Sequence, residues 1–397
     1  MKKPSLIVDE CYRPATDLVV KINAEGFISL DDSHARVFHQ YAIFAERQYH
    51  AISKSPDALR WKIYVDRKRE EIKQRQRRMG GVQGTPEYDT LRKEQSRANQ
   101  LLTQDIERSR EHLSQRTSFL ASAVEMHSRC LAASDKFDED SPIRLCSLWL
   151  ANFDNDDPSL RFGEALARVP SRKFVFLAHQ LTARLSKSDR DQPTPNQEIL
   201  QTVIQRMGSE HPFHSLFPLY CLKGDRPPPQ ASGISRRHSV RQGTPGASQL
   251  ERVAAVSDVF DKLRSDPETG QRVRAVEHVC DASLEWAKYP IKHLFTKGKH
   301  NPTSLSIPEQ VLIRKLRDVR VPVITATTPI DPTTEYRDCV WITAFRTKYT
   351  TAGGINLPKI VKCCGTDGKE YKQLVSPTSW SFFEGNIDLM RIVQGRR

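Results

Sequence analysis

A pair of glycines, Gly353 and Gly354, lies between two β-like runs in the last eighth of this 397-residue chain. Glycine has no Cβ atom, so the backbone N–H groups of such a loop can approach an anion closely. A loop of this kind between two strands can cover the phosphates of a nucleotide. The alternative is an ordinary hairpin turn without a ligand, and the glycine pair alone does not separate the two.

Three β-like runs surround this loop and would hold it in place. They cover residues 340–345, 359–364 and 371–375, and a Gly-Thr-Asp-Gly turn at 365–368 joins the last two. Short alternating runs joined by glycine-bearing turns predict an antiparallel meander. On this interpretation the glycine-bearing loop reaches from Ala344 to Gly354.

The chain before these runs is dominated by helix-start signals. Six Ser/Thr/Asp-Pro dipeptides place a capping side chain before a proline. Proline is tolerated at the first helical position because its missing N–H would be unpaired there. The six dipeptides are Ser55-Pro56, Thr85-Pro86, Ser141-Pro142, Asp157-Pro158, Thr194-Pro195 and Asp266-Pro267.

Apolar spacing near the helical period locates the two longest helical segments. One helix is predicted from about residue 33 to 54, and a much longer one from about 85 to 137. Because the first half of the longer helix is almost wholly polar, residues 55–137 are predicted to form a projecting helical hairpin. The apolar face predicted for the 33–54 helix consists of Val37, Tyr41, Phe44, Ala45 and Gln48.

Shorter amphipathic helices are predicted after the hairpin, and helices that bury successive faces on one another form an α-solenoid. The fold class is therefore predicted as mainly α: a solenoid of antiparallel helices followed by a small, incomplete antiparallel β region. The shorter helices are placed at 143–152, 159–167, 171–185, 197–207 and 212–222, with two more ending at about 288.

The composition divides the chain into segments. An irregular start is predicted at 1–30, the helical solenoid at 31–290, the β region at 291–375 and a divergent tail at 376–397. Inside the solenoid, residues 223–247 are rich in Pro, Gly, Ser and Arg and are predicted to be a disordered linker.

The net charge of +13 permits acidic partners such as nucleic acid. Much of the excess lies in helical runs such as 67–69 and 75–78, where glutamates are interspersed, which is typical of a solvated helix face. Direct contact with nucleic acid stays the alternative. The chain has no apolar run near 18 residues and no signal-peptide core, and its eight cysteines show no C-x-x-C spacing. We therefore expect a soluble intracellular protein with reduced thiols and no membrane contact.

Three histidines, His179, His211 and His214, are the residues that most resemble metal ligands or general bases. No carboxylate or thiol stands at ligand spacing from them, so they are interpreted as core or capping histidines. No serine lies in a nucleophile elbow. The sequence predicts no metal site and no catalytic residue of its own.

Several blocks resemble ATM-type kinases, the large phosphatidylinositol-3-kinase-like protein kinases of the DNA-damage response, close to the fungal telomere-maintenance kinase. Their order and spacing match from about residue 35 to Val375. Blocks similar to the start of the kinase N-lobe are 352–360, 365–370 and 373–375. Blocks similar to the helical FAT region that wraps the kinase are 38–49, 144–150, 169–174, 180–184 and 211–217.

The resemblance implies roles for individual residues. In that family the third strand ends Gln-Leu-Val-Lys and its lysine holds the nucleotide phosphates, whereas here Ser376 follows Val375 and Glu384 stands at the lysine position. By resemblance, the ATP-binding residues are Ala352, Gly353, Gly354, Pro358 and Leu374. ATP and Mg²⁺ are the cofactors of the family, and neither is expected to bind well to this chain.

The catalytic loop, the metal-binding Asp-Phe-Gly and the C-terminal FATC segment have no match in the sequence, so the chain is expected to be a truncated, inactive kinase fragment. Three strands without their central helix are expected to leave an apolar face uncovered, which would make the part after about residue 305 the least stable. Two serines are candidate phosphorylation sites: Ser239 after two arginines, and Ser248 in the Ser-Gln dipeptide that the family prefers as a target.

By family, the chain is expected in the nucleus, in DNA-damage and telomere signalling. The alternative is a helical scaffold or dominant-negative protein. It would bind protein partners, such as the full-length kinase or a second copy of the chain, through the hairpin at 55–137.

Overall fold

A computed structural model describes residues 3–25, 31–81, 86–186, 194–223, 247–290, 304–352 and 358–375. Helices dominate and a small antiparallel sheet follows them, so the predicted mainly α class is confirmed. The chain forms two compact units, Met1–Pro170 and Ser171–Arg397. The division falls inside the predicted 31–290 solenoid, and the second unit contains helices together with the whole sheet.

The N-terminal segment is helical, so the prediction of an irregular start is wrong for residues 4–24. Helix α1 (Pro4–Ile7), a π-helical turn (Val8–Tyr12) and helix α2 (Arg13–Ala24) follow one another directly. The Tyr12 ring stacks on the Tyr41 ring at 5.1 Å between centroids. This packing stabilises a segment whose local sequence signals are weak.

Three long helices form the centre of the first unit: α3 (Asp32–Ser53), α4 (Pro56–Gly81) and α5 (Pro86–Ala133), the last with 48 residues. The predicted 33–54 helix is present as α3, and α4 and α5, which contact each other, lie within the predicted 55–137 hairpin. Of the predicted apolar face of α3, Tyr41 and Ala45 are buried. The remaining buried positions differ from the predicted ones because α3 packs against both α2 and α5; they are Ala35, Phe38, Ala42 and Tyr49.

The two halves of α5 have different neighbours. In its first half the Asp105 carboxylate accepts a hydrogen bond from Lys68 Nζ of α4 at 2.6 Å. In its second half Arg116 donates to the Tyr49 hydroxyl of α3 at 3.2 Å. The first half of α5 is therefore polar because it packs against α4, which is itself strongly polar and forms ion pairs with it.

Two shorter helical segments complete the first unit. Helix α6 (Ser141–Ala151) and helix α7 (Phe162–Arg168) match the predictions at 143–152 and 159–167, with a 3-10 turn at Pro158–Leu160. Ser141 does not cap α6: the N-cap position belongs to Asp140, and the buried Ser141 hydroxyl lies 3.3 Å from Nδ1 of His127.

The second unit begins with a 3-10 helix at Ser171–Leu177 and the short helix α8 (Ala178–Thr182), where a single helix at 171–185 was predicted. Lys173, Phe174 and Val175 are consecutive and all buried, a pattern that one face of an α-helix cannot produce. The four longer helices match their predicted places; they are α9 (Pro195–Glu210), α10 (Pro212–Lys223), α11 (Ala247–Ser265) and α12 (Pro267–Lys288).

The predicted linker and both candidate phosphorylation sites fall largely outside the described residues. Lys223 ends α10 and Ala247 begins α11, and residues 224–246, with Ser239 among them, are not described. Ser248 belongs to α11, but its side chain is likewise outside the description.

Five antiparallel strands form the sheet, in the order β1-β3-β4-β5, with β2 also paired to β3. A short helix, α13 (Leu312–Lys315), lies between β1 and β2. The predicted meander is therefore present as β3, β4 and β5. The strands are β1 (Leu305–Ser306), β2 (Arg317–Pro322), β3 (Trp341–Thr351), β4 (Lys359–Gly365) and β5 (Glu370–Val375).

One expectation about this sheet is wrong. Strand β3 continues to Thr351, so the predicted loop from Ala344 is confined to residues 352–358. One face of the sheet is also covered, since the Tyr349 ring of β3 meets the Trp286 ring of α12 edge-on at 4.8 Å. Val361 of β4 is fully buried on that face. Helix α12, from the predicted solenoid, thus covers this face of the sheet, and the opposite face keeps half-buried Ile360 and Leu374.

A matched pair of glycine substitutions tests the helix packing. A Cβ atom at Gly270 of α12 would lie 2.5 Å from the Arg264 carbonyl oxygen, and a backbone atom has little room to move. Gly270→Ala should therefore destabilise the fold by about 1–3 kcal/mol, although alanine favours helix. A Cβ at Gly80 of α4 meets nothing within 4 Å, so Gly80→Ala should stabilise by up to about 1 kcal/mol. Urea unfolding measures both, and equal effects would contradict the assigned packing.

Candidate functional site

The connection between β3 and β4 is closed at its base by a backbone hydrogen bond. The Ala352 N–H donates to the Pro358 carbonyl oxygen at 2.8 Å. Two of the predicted ATP-binding residues are thus in direct contact. Gly353 and Gly354 lie between them, outside the described residues. The bond holds the two ends of the connection together, as in an ordinary hairpin or in a loop that covers phosphates.

Leu374 lies on the face of the sheet opposite α12, close to the base of this connection. Cα pairing places Thr350, Ile360 and Leu374 side by side on the three strands, one residue from the row that holds Lys359. Because successive side chains alternate between faces, the row with Leu374 points away from α12. Ile360 and Leu374 are half-buried. We call this side the open face.

The open face is positively charged, a feature that the sequence analysis missed. Glu370 accepts hydrogen bonds from Lys362 Nζ at 2.8 Å and from Arg346 Nε at 2.6 Å, and Lys372 is paired across the strands with Lys362. The hydrogen bonds from Lys362 and Arg346 lower the pKa of Glu370. Two cations thus bind one carboxylate, and Lys372 adds a third positive charge on the same face. The position of Lys362 between the apolar residues Val361 and Cys363 was the available signal.

Lys359, the first residue of β4, lies on the other face and was also missed. Its ammonium group donates to the carbonyl oxygens of Trp286 at 2.5 Å, Ala287 at 3.2 Å and Tyr289 at 2.7 Å. It also lies 4.5 Å from the centre of the Trp286 ring. Burial lowers the pKa of Lys359 to about 8, so the side chain is still a cation at neutral pH. Period-two alternation with the buried Val361 was the signal that this lysine points inward.

A buried His-Tyr-His chain holds the segment that leads into β3. The Tyr336 hydroxyl lies 2.7 Å from Nδ1 of His211 and 3.2 Å from Nδ1 of His214, and Nε2 of His214 lies 3.0 Å from the Thr328 carbonyl. A carbonyl only accepts, so Nε2 of His214 carries the proton and its Nδ1 accepts from Tyr336. His211 then donates to the tyrosine oxygen. The prediction of core histidines is confirmed for this pair.

Within the described ranges, no group of three or more His, Cys, Asp or Glu side chains could hold a metal ion. The helices described here also include none that is both long and apolar enough to cross a membrane. Cys363 is buried while the adjacent Cys364 is half-buried, in keeping with their opposite faces.

Comparison with known proteins identifies relatives of the whole chain. It is 30% identical over 387 residues to the serine-protein kinase ATM of Sus scrofa, covering 94% of this chain and 12% of that protein. It is 29% identical over 345 residues to the serine/threonine-protein kinase TEL1 of Cryptococcus neoformans, covering 86% of this chain and 10% of that protein. The chain is a homologue of the ATM and Tel1 kinases. No family model matches it.

The fold agrees with this relationship. The solved FAT and kinase domain of CtTel1 superposes with a TM-score of 0.68 at 20% identity, over 94% of this chain and 23% of that one. The helices and the sheet together therefore have a fold found within the FAT and kinase domain of that protein. The chain spans about a tenth of the length of these curated kinase relatives.

Acid should weaken the His-Tyr-His chain. Burial lowers the pKa of His211 to about 4, against about 6.5 in an unfolded chain. A depressed histidine pKa means that the unfolded state binds the proton more tightly. The stability contribution is therefore complete above pH 6.5 and is lost as the pH falls towards 4, by on the order of 2–3 kcal/mol.

Urea unfolding at pH 7 and pH 4.5 measures this loss. The His211→Asn variant should lose less stability on acidification than the wild type. His278→Asn, at an exposed histidine of α12, should behave like the wild type. An unchanged acid response in His211→Asn would refute the assignment.

Proposed function

We propose that this chain supplies the FAT region and the nucleotide-covering part of the N-lobe in an ATM/Tel1-like serine/threonine protein kinase, acting in the nucleus in DNA-damage and telomere signalling. The observation that carries the proposal is the β3–β4 connection, closed by the Ala352–Pro358 hydrogen bond beside a positively charged open face. The relatives that match most of this chain in sequence are protein kinases.

The open face suits the nucleotide of a phosphoryl-transfer enzyme. Such catalysis consists mainly of positioning and of stabilising charge on the transferred group. Backbone N–H groups of the 352–358 connection would meet the phosphates, and Lys362, Lys372 and Arg346 add positive potential on the same face. Leu374 and Ile360 give the base an apolar surface.

The described residues fit the phosphates of ATP but not its Mg²⁺. Glu370 is the strand carboxylate on the open face, and Lys362 and Arg346 already bind both of its oxygens. Among the described residues no carboxylate pair is left there for a metal, and by resemblance Glu384 stands where the family has its phosphate-binding lysine. The 397-residue polypeptide alone should therefore bind ATP weakly and transfer no phosphate.

A chimera tests the nucleotide role directly. Residues 304–375 of this chain replace the matching segment of an active Tel1 kinase, with the junction after Val375 so that the host supplies the lysine, catalytic loop and metal ligands. We expect phosphorylation of a Ser-Gln peptide within about tenfold of the host rate, because the strands and the connection carry the host's own fold. The isolated chain, assayed in parallel with MgATP, should show no transfer.

The control is the same chimera with the host's phosphate-binding lysine changed to methionine, which should be inactive. A folded chimera that loses activity by more than about a hundredfold would contradict the proposed role. Clear transfer by the isolated chain would contradict the assignment of the missing chemistry to the host segment.

A second candidate function, a scaffold that binds protein partners, is favoured by the α4–α5 hairpin. Four large apolar side chains of this hairpin are exposed: Ile63 65%, Tyr64 49%, Leu101 47% and Leu113 55%. Its basic runs are largely neutralised by carboxylates, as in the Arg67–Glu71 pair at 3.1 Å and the Lys68–Asp105 pair at 2.6 Å. Exposed apolar groups beside paired charges fit a protein surface better than nucleic acid.

The partner we propose for the hairpin is an ATM/Tel1-like kinase or a second copy of this chain. Co-precipitation with such a kinase and light scattering of the purified chain measure both. Ile63→Ser with Leu113→Ser should reduce association at least tenfold, whereas Leu18→Ser, at an exposed leucine of α2, should not. A monodisperse monomer that captures no kinase would count against the scaffold.

A further inference from the structure

Helix α12 is held at two places by buried or half-buried ionic groups. Near its middle, the Glu277 carboxylate accepts hydrogen bonds from Lys223 of α10 at 2.7 Å and from Arg264 of α11 at 2.6 Å. Burial alone would raise the pKa of Glu277, but these hydrogen bonds lower it below the ordinary value. The carboxylate therefore stays ionised and joins three helices.

At the C-terminal end of α12 the link is to the sheet. The last carbonyls of a helix have no intrahelical donors and carry partial negative charge. The Lys359 ammonium donates to three carbonyls there, those of Trp286, Ala287 and Tyr289. Only 2% of the lysine surface is exposed, so water cannot replace these bonds freely. A cation at this position also complements the helix dipole.

The residues that flank the β3–β4 connection on both sides contact this last turn of α12. Tyr349, three residues before Ala352, packs edge-on against the Trp286 ring at 4.8 Å. Lys359 directly follows Pro358, whose carbonyl accepts the Ala352 N–H. The Tyr349 contact is apolar and tolerates sliding, whereas the three hydrogen bonds of Lys359 fix a direction and a distance. Lys359 therefore fixes the distance between the base of the connection and the C-terminal end of α12.

We propose that Lys359 is a positioning residue. It couples the position of α12, which is set by its contacts with α10 and α11, to the base of the β3–β4 connection. Movement of α12 at Glu277 then changes the hydrogen bond between Ala352 and Pro358. The coupling itself rests only on the geometry above. Its consequence for nucleotide binding rests on the proposed function, since the connection is there assigned to the phosphates.

Amide hydrogen exchange of the Ala352 N–H in the 397-residue chain tests the coupling. Lys359→Met keeps the length of the side chain and removes its donors, so Ala352 should exchange about tenfold faster. Lys359→Arg keeps the cation and several donors and should restore at least half of the protection on a logarithmic scale. Lys362→Met, an exposed lysine of the same strand that pairs with Glu370, should leave Ala352 unchanged.

A double-mutant cycle separates transmission from simple local support. Glu277→Gln should accelerate exchange at Ala352 by about threefold when Lys359 is present, and should have no further effect in the Lys359→Met background. Equal effects in both backgrounds would overturn the proposal. Should Lys359→Met fail to fold, Glu277→Gln alone still decides, because unchanged Ala352 exchange in that variant would also overturn it.

The chimera with residues 304–375 and the matching α12 segment gives the kinetic readout. Lys359→Met should raise KM for ATP about tenfold and change kcat less than threefold, since the connection positions the nucleotide and does not take part in proton transfer. An inactive chimera together with a positive exchange cycle would refute the nucleotide assignment while leaving the coupling intact. An unchanged KM in an active chimera would refute the transmission to the nucleotide.

Discussion

The C-terminal carbonyl groups of the buried helix α12 need hydrogen-bond donors, and the rest of the second unit must supply them. The final carbonyls of α12 lie where the sheet covers them, so they need donors from the protein. Lys359 provides these donors at 2.5–3.2 Å. That contact fixes where β4 begins, and the antiparallel register then places Val375 of β5 and Thr351 of β3 beside it. The position of the β3–β4 connection is in this sense determined by a helix terminus.

The first unit depends on a comparable buried polar group. Burial would raise the pKa of Glu46 in α3, but hydrogen bonds from His127 and Arg144 lower it. Arg144 of α6 also binds Asp140 at 2.7 Å, so one guanidinium joins the start of α6 to α3. The Glu46 side chain is only 12% exposed, so losing Arg144 would leave it with the His127 contact alone, at a greater cost than the loss of an exposed ion pair. In both units, ionic groups on neighbouring elements thus specify how helices meet, while apolar contacts supply the bulk of the stability.

Local signals in the sequence were sufficient for most elements and insufficient for their contacts. The proline-marked starts at Pro56, Pro86, Pro195 and Pro267 each coincide with a helix, because capping and the proline preference are properties of a few adjacent residues. The helical start at 4–24 was missed since it depends on packing between distant rings, as with Tyr12 and Tyr41. Lys359 was missed for the same reason: its partners are 70 or more residues away. Pro358 and Leu374 were assigned to the ATP site through resemblance alone, and no local pattern marks them.

The two faces of β4 and β5 differ in burial and in charge. On the α12 side the Lys359 ammonium group donates to three backbone carbonyls, and apolar side chains such as Val361 are buried. On the open face Ile360 and Leu374 remain half-buried, and Lys362 and Arg346 share a single carboxylate, Glu370. An apolar surface beside an excess of positive charge is chemically complementary to a molecule with a flat apolar part and an anionic tail. In the proposed function, the base of the nucleotide would lie on Ile360 and Leu374 and its phosphates near Lys362 and Arg346.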